Sequence, residues 1–319
     1  METGKPDPPV TVVIPHLAGD RWLGECLEAL RRQSFSDFRT VLVDNASGDG
    51  SSARARERYP GVDVVRNAEN LGFAGACEEG RLRTRSPLLV FLNDDVVLGR
   101  EWMERMVAAM EAHPETAAAA GKLVQAHNPQ RISSAGNLVL PSGFGRDRGV
   151  GEPDGGRFDL PAEVFWASGA ACMIRRRVLD ECGGWDRSFF AYFEDIDLGL
   201  RARLRGHVCS YVPEAAGRHR GGATAAGFPR LASELLFRNA AAVAVKNFPG
   251  RVLGRRLPSV LGAHARALLY LTLKGHAAAA VRGEISLLRR LPRLLEQRRK
   301  IQKSRIISAE RFEKIFDLG

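Results

Sequence analysis

Two acidic clusters carry the chemistry this sequence could perform. Asn93-Asp94-Asp95 follows the apolar run Leu88–Leu92, and Glu194-Asp195-Ile196-Asp197 follows the aromatic stretch Phe189–Phe193. Two adjacent carboxylates leaving a buried strand repel each other unless a cation or a basic neighbour compensates. A hard divalent cation with oxygen ligands, Mg²⁺ or Mn²⁺, would do so and could bind a diphosphate at the same time. An acidic strand-end turn or a helix N-cap would account for the same pair structurally. In the second cluster the acids open a helix, where the dipole favours the ionised form. A carboxylate there can serve as general base to a hydroxyl; capping alone accounts for one of the three acids. His219 falls in a polar, Gly-rich loop, Gly217-Arg218-His219-Arg220-Gly221-Gly222. It reads as a surface residue unless its imidazole joins Asp95 on a metal.

The elements that must position these residues follow from periodicity. Val10–Ile14 is a β-branched run ended by Pro15, a buried strand. Trp22–Leu30 has helical spacing, Phe38–Val43 is a second strand, and it runs into the turn-rich Asp44–Ser51 loop. A helix over Ser51–Tyr59, a strand over Val62–Val65 and a helix opened by Asn70-Leu71-Gly72 and running to about Arg83 come next. The strand Leu88–Leu92 and the helix Glu101–Ala112 complete an alternation that implies right-handed βαβ units and a largely parallel sheet. In such sheets ligands bind beyond the carboxyl ends of the strands, where Asp44 and Asp94-Asp95 fall. Residues 126–163 are Gly-, Pro- and Ser-rich, suiting loops and short antiparallel strands. Val164–Ile174 reads as a strand broken at Ser168-Gly169, and Glu194–Arg205 as a helix.

Composition bounds the class. The 319 residues are 45% hydrophobic and 26% charged, which are globular values. Five widely spread cysteines without a CxxC pair argue against a disulfide framework or structural zinc site and suit buried free thiols in a reducing compartment. No uncharged apolar run reaches the ~18 residues that span a bilayer. The N-terminus METGKPDPPV lacks a signal-peptide core. The expectation is therefore neither an integral membrane nor a secreted protein. Gly72-Phe73-Ala74-Gly75 is not the GxGxxG dinucleotide fingerprint, and no GxxxxGK[ST], HExxH or GxSxG motif occurs.

Taken in order, these segments resemble glycosyltransferase family 2, and within it the rhamnosyltransferase-like branch. The matching residues are Val12-Val13-Ile14-Pro15, Leu30–Ser34, Val43–Ser51, Asn70–Gly75, Phe91–Asp95, Ser168-Gly169-Ala170, Gly183–Asp186, Phe193–Leu198 and the His219 loop, together spanning roughly residues 10–225. The resemblance implies an α/β protein of GT-A fold: a mainly parallel central sheet flanked by helices, plus a helical C-terminal region. It implies an inverting, metal-dependent transfer of a sugar from a nucleotide-diphosphate donor to a hydroxyl of a glycan or polyprenyl-linked acceptor in cell-surface polysaccharide synthesis. The branch favours dTDP-rhamnose; a UDP-hexose or UDP-N-acetylhexosamine transferase, or a catalytically silent sugar-nucleotide-binding scaffold, are the alternatives.

By the same resemblance Asp195 is the catalytic base, with Glu194 beside it. Asp44 and the backbone near Pro15 line the base pocket, and Asn70 and Gly72 shape the donor site. Asp95 and His219 bind Mg²⁺ or Mn²⁺ with Asp94 in support, and Gly169 and Trp185 shape the acceptor side. The chain departs from the family pattern at His16-Leu17-Ala18-Gly19-Asp20, where an Asn-containing loop is common, and at Glu78-Glu79-Gly80.

Charge divides the chain. Residues 1–229 hold 28 Lys+Arg against 31 Asp+Glu, whereas residues 230–319 hold 19 against 6. This suggests a catalytic domain over 1–229 and a basic, amphipathic helical region over 230–319. Such helices suit an anionic membrane surface or packing on the body, including a homodimer interface. Nucleic acid is not expected, because interleaved aromatics are lacking. The expected location is cytoplasmic, peripheral on the inner face of the cell membrane.

Overall fold

The computed structural model describes residues 7–221 and 228–318; Met1–Pro6, Gly222 of the histidine loop and the rest of 223–227 lie outside them. The first half alternates as expected: β1 (Val10–His16), α1 (Asp20–Arg31), β2 (Phe38–Asp44), α2 (Ser51–Arg58), β3 (Val62–Arg66), α3 (Gly72–Leu82), β4 (Leu88–Leu92), β5 (Val96–Leu98) and α4 (Trp102–Ala112). Strands β6 (Thr116–Gln125), β7 (Asn128–Ser134), β8 (Asn137–Val139), β9 (Gly145–Asp147), β10 (Ala162–Val164) and β11 (Ala171–Arg175) follow. Then come α5 (Arg176–Cys182), α6 (Glu194–Leu204) and β12 (Val208–His219). The C-terminal region is α7 (Pro229–Asn247), α8 (Gly250–Leu273), α9 (Ala277–Lys303) and the short α10 (Ala309–Glu313).

The large sheet runs β10-β12-β6-β11-β4-β1-β2-β3, with β5 beside β12 and β7 beside β6. Strands β3, β2, β1 and β4 are parallel, whereas β11 lies antiparallel between β4 and β6. Parallel strands covered on both faces need continuous apolar runs, and Val10, Val12–Ile14 and Leu89–Leu92 are fully buried. In-register pairing aligns His16, Asp44 and Arg66 at the carboxyl ends of β1, β2 and β3. The Asn93-Asp94-Asp95 turn leaves the same edge. The expected broken strand is two strands in different places, β10 at the sheet edge and β11 in its middle.

His219 does not lie in a loop. It is the last residue of β12, paired to Val96 of β5 and Gln125 of β6. A bulge between Val212 and Ala216 interrupts the alternation of β12, which is why the run does not read as a strand. The β6 run Thr-Ala-Ala-Ala-Ala-Gly favours helix by propensity. Small residues are required there because a Cβ on Gly121 would sit 2.6 Å from Trp102 Nε1.

Candidate active site

Strand β4 delivers Asp94 and Asp95 into two different environments. The Asp94 carboxylate is held by His16, Nδ1 to Oδ2 at 2.6 Å, and the other imidazole nitrogen meets Ser51 Oγ at 2.6 Å. Burial and the adjacent Asp95 push the Asp94 carboxyl up, and His16 opposes them. Asp95 is 8% exposed; its Oδ2 accepts the Gly221 amide at 3.2 Å, while its Oδ1 is buried without a hydrogen-bond partner among the described residues. Facing that orphaned oxygen at 3.4 Å is His219 Nε2, whose other nitrogen is oriented by Ser133 Oγ at 3.1 Å.

An unsatisfied buried carboxylate oxygen beside an imidazole nitrogen fits an oxygen- and nitrogen-ligated divalent cation. The described residues contain no cluster of three or more such ligands. Asp95 and His219 would therefore supply two positions, and a diphosphate and water the remainder.

Asp195 sits in the first turn of α6. Its Oδ2 accepts Asn137 Nδ2 at 2.8 Å and the Gly169 amide at 3.0 Å; its Oδ1 meets only the Ile196 amide of its own turn, at 2.8 Å. The carboxylate is thus fixed at Oδ2 by two groups from other elements and held at Oδ1 only by an amide of its own turn. Gly169 also gives Phe73 close approach, since a Cβ there would lie 3.2 Å from the Phe73 ring. Phe190, Tyr192 and Phe193, just before the helix, all have φ near +67°. Such strain persists only where neighbours over-determine it. Asn239 of α7 does so by donating to the carbonyls of Phe189, Ala191 and Tyr192 at 2.8–3.0 Å.

Glu194 turns inward, 7% exposed, with Oε2 unpartnered. Burial first, then the charge of Asp195, pushes its carboxyl well above the ordinary value of 4.5. The folded protein therefore holds a proton there that the unfolded chain releases, and stability declines as pH rises from about 4.5 towards the folded value. Glu194→Gln should remove this dependence. At pH 8 its Tm is expected to equal or exceed that of wild type in thermal melts, with a flatter profile between pH 5 and 8; a marked loss at pH 8 would mean that ionised Glu194 is paired.

The remaining expected residues are placed as follows. Asp44 is fully buried, accepting from the Ser47 amide at 2.7 Å, Ser52 Oγ at 2.6 Å and Arg66 Nη1 at 2.8 Å. Burial pushes its carboxyl up, but those bonds hold it below its ordinary value. The group left facing outward at this strand end is Arg66, 58% exposed. Pro15 is partly buried beside it and Asn70 is exposed, its Oδ1 accepting the Gly72 amide at 2.8 Å. Gly72 has φ +71°, and a Cβ there would lie 2.3 Å from the Phe190 carbonyl, so this position admits only glycine.

Trp185, expected to shape the acceptor side, is not open to solvent. It is 2% exposed and packs edge-on against Phe73 and Phe91. Sequence reasoning missed His16, Ser133, Asn137 and Asn239. His16 was visible only as a departure from a pattern, and Asn137 lies where no periodicity marks a face. Asn239 had a signal: Arg238-Asn239 and Lys246-Asn247 interrupt an otherwise apolar helix about two turns apart.

A model of glycosyltransferase like family 2 matches residues 8–242, crossing the expected boundary at 229. The chain is 28% identical over 232 residues to the N-acetylglucosaminyl-diphospho-decaprenol L-rhamnosyltransferase of Mycobacterium tuberculosis, covering 64% of this chain and 72% of that one. It is 23% identical over 209 residues to the O-antigen biosynthesis protein RfbC of Myxococcus xanthus, covering 62% of this chain and 16% of that protein. Among solved structures, the mannosyltransferase PcManGT of Pyrobaculum calidifontis, in complex with GDP-Man and Mn²⁺, superposes with a TM-score of 0.56 at 18% identity over 98% of this chain and 89% of that one. GalNAc-T7, with UDP, GalNAc and Mn²⁺, gives 0.55 at 15% identity over 66% of this chain and 43% of that one. These two likenesses share the GT-A architecture.

Proposed function

The chain belongs to glycosyltransferase family 2, and from that premise we propose that it transfers a sugar with inversion from a nucleotide-diphosphate donor to a hydroxyl of a lipid-linked glycan. The observation that carries this reading is the pairing of two half-satisfied carboxylates. Among the described residues Asp95 has an orphaned oxygen facing His219, and Asp195 is anchored from two other elements at Oδ2 while Oδ1 meets only an amide of its own turn. Rhamnose carried on dTDP is the favoured donor and a polyprenyl-diphosphate glycan the favoured acceptor, supported by the similarity to the decaprenol-dependent rhamnosyltransferase.

In this reading Asp195 takes the proton of the acceptor hydroxyl as that oxygen attacks the anomeric carbon. The bond from that carbon to the diphosphate oxygen breaks on the opposite face, and the diphosphate leaves with the electron pair. Asn137 and the Gly169 amide keep the base aimed, so that positioning supplies much of the rate. His16 fixes Asp94 against the donor, and Arg66 presents a cation at the base pocket. Asp95 and His219 would hold a divalent cation, which when bound would neutralise charge on the departing diphosphate.

Calorimetric titration of the purified protein with dTDP and with UDP, in Mn²⁺, Mg²⁺ or EDTA, tests the donor site. One nucleotide is expected to bind at least about tenfold more tightly with metal, and Asp95→Asn to abolish that gain while sparing metal-free binding. Metal-independent binding, unchanged by Asp95→Asn, would remove the metal from the reading.

The C-terminal helices bear on the acceptor. Among the described residues no helix is long and apolar enough to cross a membrane. Leu257, Leu261, Leu268, Leu269 and Leu273 of α8 are nonetheless exposed, as are Ile285 and Leu288 of α9, on helices rich in arginine. An anionic bilayer is the partner such faces suit. Full-length protein is expected to sediment with anionic vesicles at low salt, and Leu268→Glu with Leu269→Glu to lower the bound fraction at least about fivefold. Recovery of wild type in the supernatant would count against docking.

A further inference from the structure

On the face of the β8–β9 hairpin turned away from Asp195 lies a cavity that none of the steps above uses. Its volume is about 330 Å³, and Leu138, Leu140, Arg146, Asp147, Arg148, Val150 and Phe316 contribute to its lining. Alternation along the strand separates the two faces. Gly145 abuts Ile196 of the catalytic helix, and Asn137, paired with Asp147, holds Asp195. Arg146 lies between those positions on β9, and Arg148 follows Asp147 in the turn after the strand.

Arg148 is only 7% exposed, its guanidinium lying 5.2 Å and 5.4 Å from the Phe158 and Tyr211 ring centres. Its one hydrogen bond from the side chain is a long one, from Nη1 to the Ala135 carbonyl at 3.5 Å. Among the described residues neither Arg148 nor Arg146 is paired with a carboxylate, whereas Glu152 in the same lining is occupied by Arg157 at 2.9 Å. A buried guanidinium without an anion is costly to keep. Two guanidiniums lining one cavity suit bidentate contact with successive phosphates. The surroundings are apolar as well as cationic: Leu140 and Val150 are 38% and 51% exposed. Ahead of residue 222 the other exposed large apolar side chains among the described residues are Leu82 and Leu160.

We propose that this cavity binds the diphosphate and first prenyl units of a polyprenyl-diphosphate-linked acceptor. The assignment rests on the reading of a lipid-linked acceptor given above and supplies the site that reading lacks. Arg146 and Arg148 grip the diphosphate, while Leu138, Leu140, Val150 and Phe316 take the start of the chain. The same hairpin carries Asn137, so seating the lipid and aiming the base involve one structural unit.

The test is calorimetric binding of farnesyl diphosphate and of inorganic pyrophosphate to the full chain, without divalent metal and with dTDP and UDP saturating. Farnesyl diphosphate is expected to bind despite the nucleotides, at least tenfold more tightly than pyrophosphate. Arg146→Glu, at an exposed position, should weaken it at least tenfold with nucleotide affinity unchanged. Arg148→Met should do the same, and if that variant does not fold, Arg146→Glu decides. Displacement by nucleotide, or wild-type affinity in Arg146→Glu, would overturn the assignment. So would equal competition by anionic phospholipid vesicles, which would assign the cavity to ordinary headgroups. Absence of sugar transfer alongside intact farnesyl diphosphate binding would sink the enzymatic reading and leave the cavity; the converse would sink the cavity alone.

Discussion

Asp195→Asn is expected to lower sugar transfer by about 10²–10⁴-fold, the range a positioned general base contributes, with nucleotide affinity within about twofold of wild type. The substitution is nearly isosteric, and the retained amide oxygen can still accept from Asn137 Nδ2 and the Gly169 amide, which meet Oδ2 at 2.8 Å and 3.0 Å. What disappears is the proton acceptor at Oδ1, the oxygen whose sole described partner is the Ile196 amide. The loss should therefore fall on kcat rather than on donor binding, because the interaction is made with the attacking hydroxyl as its proton leaves. Transfer at wild-type rate would mean that another group takes the proton. A parallel fall in nucleotide affinity would mean that Asp195 serves the donor and not the acceptor.

The sequence displayed the parallel half of the sheet far better than the rest of the chain. Strands β1 and β4 are buried on both faces, so Val10–Ile14 and Leu88–Leu92 stand out as unbroken apolar runs, with polar turns at their carboxyl ends. The acidic residues at their ends needed no tertiary information to be noticed. The rest depends on short strands and on contacts across long sequence separations. Asn137 reaches Asp195 over 58 residues, and His219 reaches Asp95 through a bulged strand that masks its own periodicity. Trp185 has the residue type of a sugar platform, yet packing against Phe73 and Phe91 encloses it. Residue type indicates what a side chain can do; only the fold decides whether solvent reaches it.

The charge boundary at 229 is the clearest instance. Composition changes there, but the physical unit does not end, because α7 inserts buried polar groups under the catalytic helix. Lys246, 2% exposed, contacts Asp186 at 2.6 Å and Asp197 at 2.8 Å. Asp197 also receives Arg201 at 2.8 Å and Asn247 at 2.9 Å, and Asp186 receives Gln297 of α9 at 2.9 Å. Two carboxylates and two cations thus balance inside the protein, with Asp197 two residues along the helix from Asp195.

Lys246→Met leaves that buried cluster one negative charge in excess. Breaking a buried network by removing one partner costs about 3–5 kcal/mol, so Tm should fall on the order of 10 °C. Adding Asp186→Asn to Lys246→Met removes the stranded charge and should recover about half of the loss, the coupling expected of groups in direct contact.

The acid limb of stability supplies a second readout. Burial pushes the Asp186 carboxyl up, but Lys246 and Ser188 hold it well below the carboxylate range. Its contribution is therefore complete above about pH 4 and is lost as pH falls towards the folded value. In Lys246→Met that limb should shift to higher pH, and in the double variant it should lose the Asp186 contribution. Equal melting of wild type and Lys246→Met at pH 7 would show that the helical region is an appendage. The predicted loss would instead make α7 part of the frame that holds the base, consistent with a family match that runs to residue 242.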